Sequence, residues 1–126
     1  MKIKLVLLLL LLSVTACAQN LTGSWTLTLA PGNRSDSLVL IDNGDRENTD
    51  NNISGVYITG GERCPITYAN YNDDQIGKDI HLFAQCTNYQ LEMASDNIIS
   101  AGKITGSYQT FDSTKIIAKS TFVMEK

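Results

Sequence analysis

From Leu21 onward apolar and polar residues alternate with a period of two, and no stretch repeats at helical spacing with caps. That period belongs to a strand with one buried face, so the chain has few solutions other than a sheet folded over its greasy side. Trp25, Leu27 and Leu29 fall on one side of a first segment and Ser24, Thr26 and Thr28 on the other, before Ala30-Pro31-Gly32-Asn33 breaks it. A second strand reads from Ser37 to Ile41, and the polar run Asp42 to Asn52 as a long hairpin loop. Ile53, Gly55 and Tyr57 share a face of a third strand, and Gly60-Gly61 makes the next turn. Cys64, Ile66 and Tyr68 are expected along one side of a fourth strand, which gives way to a loop at Asn70 to Asp74. A fifth carries Ile80, Leu82, Ala84 and Cys86, and a sixth carries Tyr89, Leu91 and Met93 and ends near Ser95-Asp96-Asn97. Ile104, Gly106 and Tyr108 mark a seventh, and Ile116, Ala118, Ser120, Phe122 and Met124 an eighth. Laid open, eight short hairpin-linked strands would leave two bare edges, and closure removes both. The expected fold is therefore all-β, an eight-stranded antiparallel up-and-down barrel, with a β-sandwich as the alternative. A barrel of that size either fills with side chains or holds one small ligand.

The first sixteen residues have a different character. Lys2 and Lys4 precede the apolar run Leu5 to Leu12 and the small residues Ser13-Val14-Thr15-Ala16, the layout of a secretory signal peptide. An uncleaved membrane helix is the other reading, but the run is shorter than the roughly 20 residues that span a bilayer. Val14-Thr15-Ala16-Cys17 resembles the bacterial lipobox, which implies cleavage before Cys17 and acyl chains on that cysteine. Several chains make a stable tether without a spanning helix. On this reading residues 1–16 are a lipoprotein signal peptide, 17–22 a lipidated N-terminus with a short tether, and 23–126 the barrel domain. Ala18 in the following place resembles the outer-membrane sorting state of enteric bacteria, so the expected location is the cell envelope, lipid-anchored to the outer membrane. The rival cut, after Ala16-Cys17-Ala18, would release a periplasmic or secreted protein.

Either cut leaves Cys64 and Cys86, an even pair that in an exported domain reads as a disulfide, with two unpaired thiols as the alternative. Two Cys and the single His81 fall short of the four ligands of a structural zinc site. Loss of Lys2 and Lys4 leaves eight basic residues against thirteen acidic ones, a formal charge of about −5. The remaining cations are scattered, with no basic stripe to displace counterions from a phosphate backbone, so nucleic acid is not an expected partner.

Three segments share a pattern of apolar residue, hydroxyl, Gly, small residue and aromatic: Leu21 to Trp25, Ile53 to Tyr57 and Ile104 to Tyr108. A Gly in a strand lets the backbone bend or approach a neighbour, and an aromatic two residues on can cover it. Gly23-Ser24-Trp25 resembles the opening G-x-W of lipocalins, and Gly55-Val56-Tyr57 and Gly106-Ser107-Tyr108 resemble the repeated G-x-Y units of avidins. The mature chain is thus similar to the calycins, the β-barrel superfamily that also includes periplasmic inhibitors of secreted metalloproteases. The resemblance implies that Trp25 closes one end of the barrel under a late-strand cation, for which Lys115 and Lys119 are the choices.

No nucleophile elbow, phosphate-binding glycine loop or metal-binding histidine pair is present, and His81 falls on the face opposite Ile80 and Leu82. Asp73 and Asp74 are adjacent in a polar turn. The Asp42 to Asn52 loop is rich in oxygen ligands suited to calcium, but Arg46 stands in the fifth place of any EF-hand-like order. The expectation is a protein that is not an enzyme, with no cofactor and no metal. It is expected to hold to the membrane through Cys17 and to bind a small apolar ligand or an envelope protein, with Trp25, Tyr57, Tyr68 and Tyr108 lining the site. Inhibition of an exported protease or lytic enzyme through the N-terminal segment or a loop such as Asp42 to Asn52, and a purely structural envelope role, are the alternatives.

Overall fold

The computed structural model describes residues 20–44, 51–73, 78–100 and 102–126. The segment read as a signal peptide, Cys17, residues 45–50 of the long loop and Asp74 lie outside the described residues. Eight strands follow in chain order: β1 Gly23–Leu29, β2 Arg34–Asp42, β3 Ile53–Thr59, β4 Glu62–Asp73, β5 Lys78–Gln85, β6 Gln90–Ser100, β7 Lys103–Asp112 and β8 Lys115–Glu125. Each pairs antiparallel with the next, and β1 pairs with β8, which closes an up-and-down barrel rather than a sandwich.

The alternation seen in the sequence is the reason. Trp25, Leu27 and Leu29 of β1, Leu38 and Leu40 of β2, and Ile80, Leu82 and Ala84 of β5 all point inward and are buried. Tyr57, Tyr71, Leu91, Met93, Ile104, Phe122 and Met124 complete a filled interior. Each large apolar side chain so buried stabilises the fold by roughly 1.5–3 kcal/mol before chain entropy is charged against it. The outer face carries Thr26, Arg63, Glu92, Lys103 and Lys119, so the barrel is greasy inside and polar outside, the reverse of a lipid-spanning barrel.

Four features depart from the periodic reading. The register slips between Ile66 and Tyr68, a bulge that reverses the phase of β4. Beyond it Ala69 and Tyr71 are buried, and Tyr68, expected beside Cys64 and Ile66, stands on the outer face opposite Phe83. The segment expected as a loop from Asn70 is strand as far as Asp73, because Asn52 grips it: its Nδ2 donates to the Tyr71 carbonyl and its Oδ1 accepts from the Tyr71 N–H, at 2.9 and 2.8 Å. β6 likewise runs to Ser100, past a second irregularity between Ser95 and Ile99. Finally, Ile116 and Ala118 are exposed although their spacing matches the buried residues of β8. A register shift at Ile117 turns Ile116 outward opposite Phe111, and β1, which stops at Leu29, covers β8 only from Phe122 on and leaves Ala118 open.

One end of the barrel is closed around Trp25. Its Nε1 donates to the Leu21 carbonyl at 3.0 Å, the Leu21 N–H donates to the buried Asp42 carboxylate at 2.9 Å, and the Asp42 N–H donates to Thr22 Oγ1 at 2.9 Å. The cation over the indole ring is Lys126, at 5.7 Å, in place of the expected Lys115 or Lys119. Those two lie on the first half of β8, where β1 no longer reaches. Leu21 and Lys126 therefore sit at the same rim, and the β1–β2, β5–β6 and β7–β8 turns at the other.

Candidate functional site

The barrel end at Trp25 is plugged, and the opposite rim carries a cleft that reaches the core from solvent. β1 turns away at Ala30 while β8 extends six residues further, to Lys115, and this mismatch in strand length opens the seam between them. The resulting cleft encloses about 330 Å³ and is lined by Leu29, Pro31 and Arg34 on one wall and Tyr108, Thr110, Ile117 and Ala118 on the other, with Tyr89 beside them. Such a volume suits a small organic group or a few residues of peptide.

Polar bonds fix each wall. Tyr108 reaches across the seam and donates from its hydroxyl to the Ala30 carbonyl at 2.6 Å, which ties β7 to the β1–β2 turn. Behind Arg34 lies Asp36, whose carboxylate is buried with its side chain 3% exposed. It accepts from the Tyr57 hydroxyl at 2.6 Å and from Arg34 Nε at 3.2 Å, while Arg34 Nη2 donates to the Tyr57 oxygen at 3.2 Å. Burial, followed by the bond to Asp36, pushes the Tyr57 phenol far above its ordinary range, so it stays a neutral donor. The Arg34 side chain is 59% exposed, so its guanidinium is anchored at one edge and open to the cleft at the other. A buried carboxylate without such partners would cost several kcal/mol, so the trio acts as one unit.

The disulfide sets the third side. Cys64 of β4 and Cys86, just after β5, are bonded with their Cα atoms 4.7 Å apart. Glu62 accepts from the Thr87 N–H and hydroxyl at 2.7 and 2.6 Å, and the Cys86 N–H donates to the Tyr89 carbonyl at 2.9 Å. Together these clamp the β5–β6 turn over the β3–β4 turn and hold Tyr89 against the cleft. Glu62 lies near both sulfurs, but the sulfurs are bonded to each other and offer no thiolate to a metal.

The four aromatics expected to line one site are not brought together. Trp25 plugs the far end and is 2% exposed; Tyr57 is in the core behind Arg34; Tyr108 lines the cleft. Tyr68 is on the outer face, where it meets His81 and Phe83 edge-on at 6.2 Å over a shallow depression. His81 Nε2 is 2.8 Å from Glu92, which also accepts from Gln109, and those two bonds hold the Glu92 carboxyl below its usual range against the opposing effect of partial burial. Asp42 and Asn52, oxygen donors at the edges of the long loop, serve the Leu21 and Tyr71 backbones as described. Sequence reasoning missed Leu29, Pro31, Arg34, Tyr89, Thr110 and Ile117 as cleft residues, because what gathers them is a difference in strand length with no residue signature. Comparison with known protein families, curated proteins and solved structures finds no match for this chain.

Proposed function

We propose that this protein is a non-enzymatic binding module of the bacterial envelope, tethered by lipid on Cys17, that takes its ligand in the rim cleft and not inside the barrel. The observation that carries this reading is the contrast between a filled interior and a walled cleft at the open seam. Leu29, Pro31, Tyr89 and Tyr108 offer apolar and aromatic surface, and Arg34 and Thr110 offer hydrogen bonds at its border. That mixture suits a ligand with an apolar body and an anionic or hydrogen-bond-accepting group. The calycin-like opening at Gly23-Ser24-Trp25 agrees with it as a resemblance, with the Trp end acting as the plug.

The dye 1-anilinonaphthalene-8-sulfonate has such a body and such a group. Its fluorescence is expected to rise severalfold on the native protein, and Ala118→Trp, which fills the cleft from an exposed position, is expected to abolish the rise while Trp25 keeps its near-ultraviolet signal. No enhancement, or enhancement that survives the substitution, removes the reading.

The tether has its own check. In a bacterial host the wild-type chain is expected in the membrane fraction with the mass of a triacylated N-terminus, and Cys17→Ser in the soluble fraction. Equal partition of the two forms argues against lipidation.

A further inference from the structure

We infer that the cleft accepts an extended segment of another polypeptide, which adds as a strand along the edge of β8 with acidic residues outward and apolar residues toward the core. The inference rests on the reading above and names the occupant of the same cleft.

The ladder between β1 and β8 runs from Thr26 opposite Glu125 to Leu29 opposite Phe122, and its last bond is from the Ala30 N–H to the Thr121 carbonyl at 3.0 Å. Lys115 to Ser120 continue as strand with β7 on one side and, among the described residues, the cleft on the other. In an antiparallel ladder a residue turns both its peptide groups to one neighbour and the next residue turns its own to the other. Thr121 faces β1, so Lys119, two residues earlier, presents its N–H and C=O to the open seam. Ile117 is the extra residue where the register shifts opposite Thr110 and Phe111, and it is 58% exposed. A bare edge of this kind templates strand addition.

The side chains specify what fits. An added strand alternates as β8 does, so every second residue would face Leu29, Tyr108, Ile117 and Ala118 across the cleft, where apolar groups are favoured. The intervening residues would lie on the outer face beside Lys119, which pairs with Gln109 in the outward series of β7. Lys115 already stands opposite Asp112 in the β7 register, whereas Lys119 stands opposite the uncharged Gln109, so Lys119 is the cation with charge to offer. A second copy of this chain is a poorer occupant. Antiparallel two-fold pairing centred on Lys119, whose peptide groups face the seam, would set the two Lys119 side chains directly opposite each other, and like charges so placed are destabilising.

A short capped peptide of alternating glutamate and valine serves as the probe, followed on the full mature domain by amide NMR. The expected result is saturable shifts confined to β8, Leu29 and Tyr108, with exchange of the Lys119 amide slowed at least tenfold. The same peptide with alternate backbone nitrogens methylated should not bind, since it cannot complete the ladder. Lys119→Glu should weaken the glutamate peptide roughly tenfold and favour its lysine counterpart. Lys119→Pro, which deletes the seam-facing N–H at an edge where proline is tolerated, should weaken both. Dye binding in the cleft without peptide binding overturns this inference and leaves the broader reading standing, whereas loss of both overturns both. Equal binding by the methylated peptide, or a dimer in sedimentation that pairs through β8, overturns strand addition by a foreign segment.

Discussion

Gly55→Ala is expected to cost about 3–5 kcal/mol of folding free energy, enough to leave a domain of this size largely unfolded at modest denaturant. Gly55 sits on β3 opposite Leu40, with φ at +153°, and a Cβ built there meets the Val39 carbonyl oxygen at 2.0 Å. The obstacle is backbone of the neighbouring strand, so no side chain can rotate away to make room. β2 and β3 would have to separate where they are hydrogen-bonded. Gly106 predicts a similar loss for the same reason, since its Cβ would lie 2.2 Å from the Ala94 carbonyl oxygen and 2.6 Å from Ser95 Cα. Gly60→Ala is the internal control. That turn also has a positive φ, but nothing lies within 4 Å, so the loss should be about 1 kcal/mol. Urea unfolding of the three variants checks the ranking, and a Gly55→Ala loss no larger than that of Gly60→Ala would contradict the contact argument.

The second large effect is expected at the disulfide. Cys64 and Cys86 are 22 residues apart, and opening a loop of that length returns about 3 kcal/mol of chain entropy to the unfolded state. The paired Cys64→Ala, Cys86→Ala variant should therefore lower the midpoint of thermal unfolding by more than ten degrees. A local effect should accompany the global one. Thr87 and Tyr89 hang from the clamped β5–β6 turn, so the cleft loses one wall and dye affinity should fall in the variant even under conditions where it is fully folded. Retained affinity would show that Glu62 and its two bonds to Thr87 suffice to hold the turn.

The two effects bracket what the residues disclose on their own. Inward alternation at Trp25, Leu27, Leu29, Ile80, Leu82 and Ala84 was legible because period two and burial on one face are the same statement. The pattern of Gly followed two residues later by an aromatic was legible too, although its cause differs by site. Gly55 and Gly106 abut strand backbone, while Gly23 abuts only the flexible Lys126 side chain. Periodicity puts Tyr68 on the wrong face because a one-residue bulge leaves no mark in composition and yet reverses every later side chain of its strand. Periodicity puts Ile116 and Ala118 in the core, but the register shift at Ile117 turns Ile116 to the outer face opposite Phe111, and Ala118 keeps its face yet has no strand beside it long enough to cover it. Arg34 and Asp36 were hidden for a related reason. Two charged residues after a turn read as solvated, and only the β2–β3 register, which sets Tyr57 opposite Leu38, brings its hydroxyl within 2.6 Å of the Asp36 carboxylate.

The two rims of the barrel divide the labour of the molecule. Leu21 and Lys126 meet at the plugged rim, and β1 runs seven residues from there to the other, a climb of roughly 20 Å. On the proposed attachment through Cys17, the molecule would stand on a bilayer like a bollard, with its foot at the indole plug and its receptive crown lifted clear of the lipid headgroups. Grafting the acyl anchor to the β7–β8 turn instead would invert it and press the crown into the membrane, leaving the fold intact and the cleft shut off from solution.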